Sequence, residues 1–259
     1  MNSGASILVI PWTAGRSIKL KDRNIDMIKQ ELILRHPLGH LGLETEEILP
    51  AGKFGAVLAH AGIGKTALLV QLALNSMLRG RNVLHVSLQD PVNKVTLWYG
   101  ELFNHLASRL EGAQVGRLWD AILPHRFIMT FRVESFTVPK LEERLNDITE
   151  QGIFKPEMMI IDGFHFDAPM RPALVSLKTL ALRHGMHVWF TVHAHSNEKP
   201  DRDGLHPSFQ PFSDLFDLIL ALQAERANVH IKAIRGLSSA SATADLLLDP
   251  STMLIKNDS

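Results

Sequence analysis

The sequence predicts an α/β fold in which a doubly wound, mainly parallel sheet ends in a meander of antiparallel strands. Two observations predict this class. Between residues 54 and 192, short apolar runs alternate with longer segments of helical periodicity, as in strands that are joined by helical crossovers. From residue 217 onward, apolar runs follow one another without helical segments between them, which is typical of antiparallel strands.

The predicted strands are short runs that are apolar over most of their length. In chain order they are residues 54–58, 82–88, 126–133, 158–162 and 187–192, followed by 217–223, 228–234 and 244–249. Runs such as MMIID at 158–162 have no polar alternation, which is expected of strands that are covered on both faces of a parallel sheet.

Helical segments are predicted between these strands. They are residues 66–79, 91–110, 138–151 (charged from Lys140 onward) and 170–184. The first is apolar on most sides, which predicts burial, and Gly80 is a typical residue just beyond a helix end. Thr137 is a favourable N-cap for the third helix, and Gly185 ends the fourth. Residues 22–36 also have a helical pattern, and we expect this helix to lie outside the sheet core.

Composition limits the classes of protein to which this chain can belong. Its 259 residues are enough for one α/β domain with a large core. The 27 basic and 27 acidic residues cancel, so no global field attracts the chain to nucleic acid or to a membrane. The apolar run at residues 5–11 is too short to span a bilayer. The chain has no cysteine, which excludes disulfides and fits a reducing compartment, so we expect a cytoplasmic protein.

The strongest functional signal is the turn between the first predicted strand and the first helix. It matches the phosphate-loop (Walker A) pattern GxxxxGK[ST] except at its first position, where the chain has Ala59. Such a turn directs backbone N–H groups and the positive end of a helix at phosphate, and a lysine and a hydroxyl complete the site. The residues predicted to bind a nucleoside triphosphate are Ala61, Gly62, Ile63, Gly64, Lys65, Thr66 and Ala67. A chance Gly-Lys-Thr is the alternative, but it leaves the flanking strand and helix unexplained.

Asp162 is the second candidate, because it ends the buried MMIID strand downstream of the phosphate loop. A carboxylate in this position can hold the hydration shell of Mg²⁺, and the Thr66 hydroxyl is expected to ligate the same ion. Strand ends also carry aspartate simply to start a turn, so the prediction depends on Lys65 and Thr66 upstream. Together these residues predict binding of a nucleoside triphosphate with Mg²⁺.

The order of these segments resembles the RecA-like ATPase core, with similarity to the DnaB-type helicase domain and to KaiC-like proteins. The resemblance covers about residues 45–255 and is carried by the phosphate loop, VSLQ, MMIID, TVHAH and the closing IKAIRG and DLLLDPSTM segments. It implies a RecA-like sheet over residues 46–259, ATP and Mg²⁺ as ligands, and a homo-oligomer with nucleotide sites between subunits. Residues 1–45 would be an N-terminal arm that docks on a neighbour, or a strand-helix cover on the sheet.

The resemblance also implies roles for three residues outside the phosphate loop. His193 falls where these proteins keep a glutamine or histidine that senses the γ-phosphate. Arg235 and Lys232 would reach the phosphates of a neighbouring subunit. Their spacing is wider by one residue than is usual in helicases. Arg235, which precedes Gly236, therefore matches better, and Lys232 can equally be a solvated strand residue.

One departure from the family bears on hydrolysis. After the strand at 82–88, the family usually has a glutamate that activates the attacking water, whereas this chain has Gln89 followed by Asp90. A carboxamide cannot accept a proton, although it can orient water. We therefore expect ATP binding with slow hydrolysis, or a base supplied by Asp90, which is also the base if the register is displaced by one residue.

Two functional hypotheses follow. The first is a nucleotide-dependent regulatory or assembly protein with a protein partner, and the alternative is a DNA-acting motor of the helicase or recombinase type. The loops expected to face nucleic acid are residues 163–171 and 195–211, and their basic residues are matched by acidic ones. Their aromatic residues could stack on bases or could pack in the protein, and they are Phe164, His165, Phe166 and Phe209. The charge balance favours the first hypothesis, so a nucleic-acid partner is not the preferred one.

Overall fold

The computed structural model describes residues 25–33, 49–194, 199–202, 204–226, 228–236 and 246–257. The strands of these residues are β1 (Phe54–Ala59), β2 (Val83–Ser87), β3 (Arg126–Thr130), β4 (Met158–Asp162), β5 (His187–His193), β6 (Leu218–Glu225), β7 (Asn228–Arg235), β8 (Leu246–Leu248) and β9 (Ile255–Asn257). They form one sheet in the order β3-β2-β4-β5-β1-β6-β7-β8-β9.

The sheet is parallel from β3 to β6 and antiparallel from β7 to β9. The predicted fold class, a mainly parallel sheet with a C-terminal antiparallel meander, is therefore confirmed. The first strand of the predicted meander, β6, in fact pairs with β1 in parallel, and the antiparallel pairing begins only between β6 and β7. The short β9 was not predicted.

Helices cover both faces of the sheet, as a doubly wound fold requires. They are α1 (residues 25–33), α2 (Lys65–Leu78), α3 (Val92–Leu106), α4 (Gly112–Ile122), α5 (Val138–Glu150) and α6 (Arg171–Arg183). The buried residues of α1 to α4 join one core cluster, and those of α5 and α6 join the other. Inner parallel strands such as β1 and β5 are buried because their alternate residues pack into opposite cores, which explains their continuous apolar sequences, whereas β3 at the edge of the sheet is only partly buried.

Two predicted elements are shorter in the structure than in the sequence interpretation. The helix expected to run to about Leu110 ends at Leu106, and a separate helix, α4, follows it. A capping box between Glu111 and Gln114 starts α4 and so separates it from α3. The strand expected at residues 126–133 ends at Thr130, because the chain then enters a short 3₁₀ turn.

The helix predicted at residues 22–36 is confirmed over the nine residues of α1 that the structure describes. Its Ile28, Leu32 and Ile33 are buried in the core cluster that contains α2, so the expectation that this helix lies outside the sheet core is wrong. The expectations for the rest of the N-terminal arm, for the apolar run at 5–11 and for part of the 195–211 loop lie outside the described residues. In the part of the chain that is described, no helix combines the length and apolarity needed to cross a membrane.

The buried side chain of Gln71 links the C-terminal strands to α2 through hydrogen bonds. Gln71 is 8% exposed, and its amide donates to the backbone oxygens of Ala67 and Met253 and accepts from the N–H of Ile255. The helix that follows the phosphate loop is thereby joined to the segment that connects β8 and β9. The closing meander therefore lies beside the phosphate loop.

Candidate nucleotide-binding site

The phosphate loop begins where β1 ends, at the centre of the sheet between β5 and β6. Ala59, which occupies the position where the motif has glycine, is still the last residue of β1 and is 3% exposed. Ala59 packs in the core and pairs in register with His193 of β5. The departure from GxxxxGK[ST] is therefore accommodated in the strand, and the turn itself starts at His60.

The N-terminal end of α2 faces this loop, and it lacks the capping side chain and the acidic residue that commonly stabilise a helix N-terminus. The N-cap residue is Gly64, no side chain caps it, and the first turn contains no acidic residue. The N–H groups of this turn and the positive end of the helix dipole are thus directed at the loop, with no acidic residue in the turn itself. This arrangement fits a phosphate group.

Gly64 is required by both its backbone and its surroundings. It has φ +105°, a conformation that residues with a side chain rarely adopt. A Cβ at this position would lie 2.6 Å from Cδ2 of Leu248, which belongs to β8. The closing meander therefore contacts the phosphate loop directly, a contact that the sequence interpretation missed.

Lys65 is half-buried at the start of α2, as the motif predicts. Its Nζ donates to the carbonyl oxygens of Ala59 and His60, each at 2.9 Å, so the ammonium lies across the mouth of the loop. Burial lowers the pKa of Lys65 from its usual value, and the nearby Asp162 carboxylate opposes this shift. An anion bound in the loop would stabilise the charged ammonium further.

Thr66 and Asp162 are 96 residues apart in the sequence but in direct contact in the fold. The hydroxyl of Thr66 donates to Oδ2 of Asp162 at 2.9 Å, and Thr191 donates to Oδ1 at 2.7 Å. Hydroxyl and carboxylate oxygens are the donors that Mg²⁺ prefers, so this set fits a magnesium ion beside the phosphates. The structure thus brings together the two predicted metal-site residues and adds Thr191, which the sequence interpretation missed.

Gln89 and Asp90 follow β2 and lie near the turn after Asp162. The side chain of Gln89 covers Gly163, since a Cβ on this glycine would be 2.7 Å from Cγ of Gln89. Asp90 points instead to α3, which follows it, where its carboxylate accepts a hydrogen bond from Nζ of Lys94 at 2.8 Å. The carboxamide is therefore the group next to the Asp162 turn, and the adjacent carboxylate is engaged in an ion pair.

His193 ends β5 on the same face of that strand as Thr191, and its side chain is exposed. It lies beside Ala59 in the neighbouring strand, so it is at the mouth of the phosphate loop. A second histidine lies here that was not predicted as a site residue. Nδ1 of His60 hydrogen-bonds the carbonyl oxygen of Ala194 at 2.8 Å, and its ring contacts His206 with a centroid separation of 5.8 Å.

Of the two basic residues predicted to act on a neighbouring subunit, Arg235 lies away from the phosphate loop of its own chain. Lys232 lies nearer to it, because it pairs with Ala221, which in turn pairs with Leu58 next to the end of β1. Arg235 pairs with Ile219, near the amino end of β6. It therefore lies near the end of the sheet at which the parallel strands begin, whereas the phosphate loop lies at the end where they finish. Its guanidinium donates to the backbone oxygens of Ser213 and Phe216. Lys232 contacts the side-chain oxygens of Gln223 at 2.8 Å and of Glu225 at 3.4 Å.

The comparison with protein families agrees with this geometry. A family model described as an AAA domain matches residues 43–199, which is more than half of the chain. This chain belongs to the AAA domain family. AAA domains of this kind are nucleotide-binding P-loop ATPases, so the coarser prediction of a P-loop ATPase is confirmed. No curated protein is significantly similar to the chain.

The extent of the AAA domain match divides the predicted site residues into two groups. The phosphate loop, Gln89, Asp162 and His193 lie inside the matched range, whereas Lys232 and Arg235 lie outside it. Thr191 could have been found in the sequence as the hydroxyl residue two positions before His193 on the same strand face. The contact between Leu248 and Gly64 has no comparable local signal, because it depends on the order of the strands.

Proposed function

We propose that this AAA domain binds Mg-ATP between its phosphate loop and Asp162, hydrolyses it slowly, and uses the nucleotide to control assembly or the binding of a protein partner. The observation that carries this proposal is the packing of the Gln89 carboxamide, rather than a carboxylate, against Gly163 at the end of the Asp162 strand. The site has the groups for binding, but its nearest water-activating group cannot take a proton.

The roles of the binding groups follow from their positions. The N–H groups at the start of α2 and the ammonium of Lys65 bind the phosphate oxygens. The hydroxyl of Thr66 and the carboxylate of Asp162 would hold Mg²⁺, the carboxylate by way of metal-bound water. The chemistry that Mg²⁺ would supply at this site is neutralisation of phosphate charge, which favours phosphoryl transfer. His193, at the mouth of the loop, is in position to contact the terminal phosphate.

Contacts made by the two loops that would face nucleic acid, residues 163–171 and 195–211, favour a regulatory role over a DNA-acting motor. Arg171, the basic residue of the 163–171 loop, forms two hydrogen bonds to Asp214, at 2.8 and 2.5 Å. Phe164 is 7% exposed and Phe209 is fully buried, so these rings are not available for stacking on bases. Phe166 packs against Phe209, with a ring-centroid distance of 5.1 Å. Aromatic rings and a basic loop are the features by which proteins bind single strands, so their engagement supports the regulatory role.

A homo-oligomer with the nucleotide between subunits is part of the same proposal, as the likeness to KaiC-like and DnaB-type ATPases implies. Arg235 lies at the opposite end of the strands from its own phosphate loop, so it can act on phosphate only in another subunit. Such an assembly would respond to the nucleotide, since ATP and ADP differ in the phosphate that Arg235 would contact.

The proposed role is tested by ATPase assays with and without single-stranded DNA, together with size-exclusion chromatography in ATP and in ADP. We expect slow turnover that DNA does not stimulate, and a larger assembly in ATP than in ADP. A several-fold stimulation by DNA would instead support the motor function. The same size in both nucleotides would contradict control of assembly.

Gln89→Glu is expected to increase ATP turnover by at least about tenfold, because a carboxylate in this position can accept a proton from water and general bases contribute about 100- to 10,000-fold. Steady-state ATPase rates at saturating Mg-ATP measure this. Gln151→Glu adds the same charge at an exposed position after α5 and should leave the rate unchanged.

Asp90→Asn separates the proposed role of Gln89 from the alternative in which Asp90 is the base. The variant keeps the shape of the side chain beside Lys94 and removes only its capacity to accept a proton. We expect the slow hydrolysis of the wild type to persist. Loss of turnover in Asp90→Asn, with unchanged turnover in Gln89→Glu, would assign the base to Asp90.

A further inference from the structure

The carboxylate of Asp162 is held from two sides by hydroxyl groups on different elements. Thr66 at the start of α2 donates to Oδ2, and Thr191 on β5 donates to Oδ1. Thr191 is 4% exposed, so its hydroxyl is separated from bulk water. A buried hydroxyl bonded to a carboxylate gives the carboxylate a fixed orientation, because the alternative orientations leave polar groups without partners.

The hydroxyl of Thr191 also holds the backbone that follows Asp162. Its Oγ1 accepts a hydrogen bond from the N–H of Gly163 at 2.9 Å while it donates to Asp162. The carbonyl oxygen of Asp162 in turn accepts from the N–H of Leu88, at 2.9 Å. The strand end, the turn and the carboxylate are thus fixed together, and Thr191 is the residue that contacts two of the three.

The sheet order explains why β5 supplies this residue. β5 lies between β1, which leads into the phosphate loop, and β4, which ends at Asp162. Alternate residues of β5 face opposite cores, and Phe190 and Val192 pack on the α5 and α6 side. Thr191 therefore faces the side of α2 and the phosphate loop, as does His193 two residues later.

We propose that Thr191 is a positioning residue for the magnesium ion of the nucleotide site, acting through Asp162. This inference rests on the proposed binding of Mg-ATP. With Oδ1 held by Thr191 and Oδ2 by Thr66, the remaining lone pairs of the carboxylate have fixed directions in which to accept hydrogen bonds from metal-bound water. The Thr66 oxygen can ligate the ion while its hydrogen continues to bond Asp162. Asp162 would thus hold the ion by way of its water shell, and Thr191 sets the orientation of the Asp162 carboxylate.

The test compares Thr191→Val with Thr191→Ser, because valine keeps the shape of threonine without the hydroxyl and serine keeps the hydroxyl. Binding of a fluorescent ATP analogue is titrated against Mg²⁺ and is measured separately in EDTA. We expect the Mg²⁺ concentration for half-maximal binding to rise at least tenfold in Thr191→Val, as losses of partners of metal-site residues cost about 10- to 100-fold. Thr191→Ser should resemble the wild type, and binding in EDTA should be unchanged in both variants.

Two controls separate positioning from a general loss of structure. Thr179→Val removes a hydroxyl from the exposed part of α6, where Oγ1 of Thr179 bonds only a backbone oxygen of its own helix in the described contacts, and should have no effect. In an Asp162→Asn background, Thr191→Val should cause no further change, because Thr191 acts through the carboxylate that is already absent.

Several results would overturn the inference. Thr191→Val with wild-type Mg²⁺ dependence would exclude the positioning role, while the proposed function would stand because the wild type still binds Mg-ATP. An equal loss of binding in Mg²⁺ and in EDTA would indicate a purely structural role. Failure of the wild-type chain to bind the analogue at all would overturn the proposed function itself, and the inference with it.

Discussion

Lys65→Ala is expected to weaken ATP binding by about 10- to 100-fold, since hydrogen bonds to charged groups contribute about 1.5–3 kcal/mol and about 1.4 kcal/mol corresponds to a factor of ten. The Lys65 ammonium lies across the mouth of the phosphate loop, bonded only to the carbonyl oxygens of Ala59 and His60 in the described contacts. Phosphate oxygens are stronger acceptors than these carbonyls, so the lysine gains most of its stabilisation from the nucleotide. Equilibrium titration with ATP and Mg²⁺ measures the change.

The fold should survive this substitution, because alanine is the best helix former and residue 65 is the first of α2. Lys140→Ala is the matched control. It also removes a lysine from the first turn of a helix, α5, where the ammonium is exposed and bonds the carbonyl oxygen of Ser135. ATP affinity should be unchanged in this control. Equal affinity of Lys65→Ala and the wild type would contradict the assignment of the phosphate site.

Phe190→Ala is expected to lower the free energy of unfolding by about 3–5 kcal/mol, the usual cost of removing a buried aromatic side chain. Phe190 is on β5, is fully buried, and has ring contacts with Phe54 at 5.1 Å and Phe216 at 5.4 Å. It also contacts Phe164 and Phe166 of the loop after β4, at 5.7 and 6.0 Å. The substitution would therefore leave a cavity at the centre of an aromatic cluster.

Chemical denaturation with urea measures this loss. Val175→Ala, at a position on α6 that is 48% exposed, is the control and should change the free energy of unfolding by less than about 0.5 kcal/mol. A loss of less than about 1 kcal/mol in Phe190→Ala would show that the loop aromatics do not form the buried cluster. These rings would then again be candidates for contacts with bases.

The parts of the fold that could be predicted from the sequence are those with a local signal. The strand at 158–162 and the helix after the phosphate loop have a periodicity and end signals that lie within a few residues. The separation of α3 from α4 was missed, because the capping box at Glu111 and Gln114 is a weak signal inside a long amphipathic stretch. The parallel pairing of β6 was missed too, since pairing partners are distant in the sequence.

The residues of the candidate site likewise fall into those with a local sequence signal and those that depend on the order of the strands. Lys65 and Thr66 are adjacent, and their chemistry is specified by one short motif. The proximity of Thr66 and Asp162 could be predicted from the phosphate-loop motif and the strand that ends at Asp162, but the contact of Thr191 with Asp162 depends on β5 lying between β1 and β4. The alanine at position 59 could be explained only once the residue was known to belong to a buried strand.

The most direct test of the account is calorimetric titration of the wild-type chain with ATP, in Mg²⁺ and in EDTA. We expect one ATP bound per chain, with higher affinity in Mg²⁺ than in EDTA because Thr66 and Asp162 would bind the nucleotide through the ion. This stoichiometry holds for a monomer and for a homo-oligomer with one site per subunit. Absence of binding at millimolar ATP, or equal affinity in Mg²⁺ and EDTA, would contradict it.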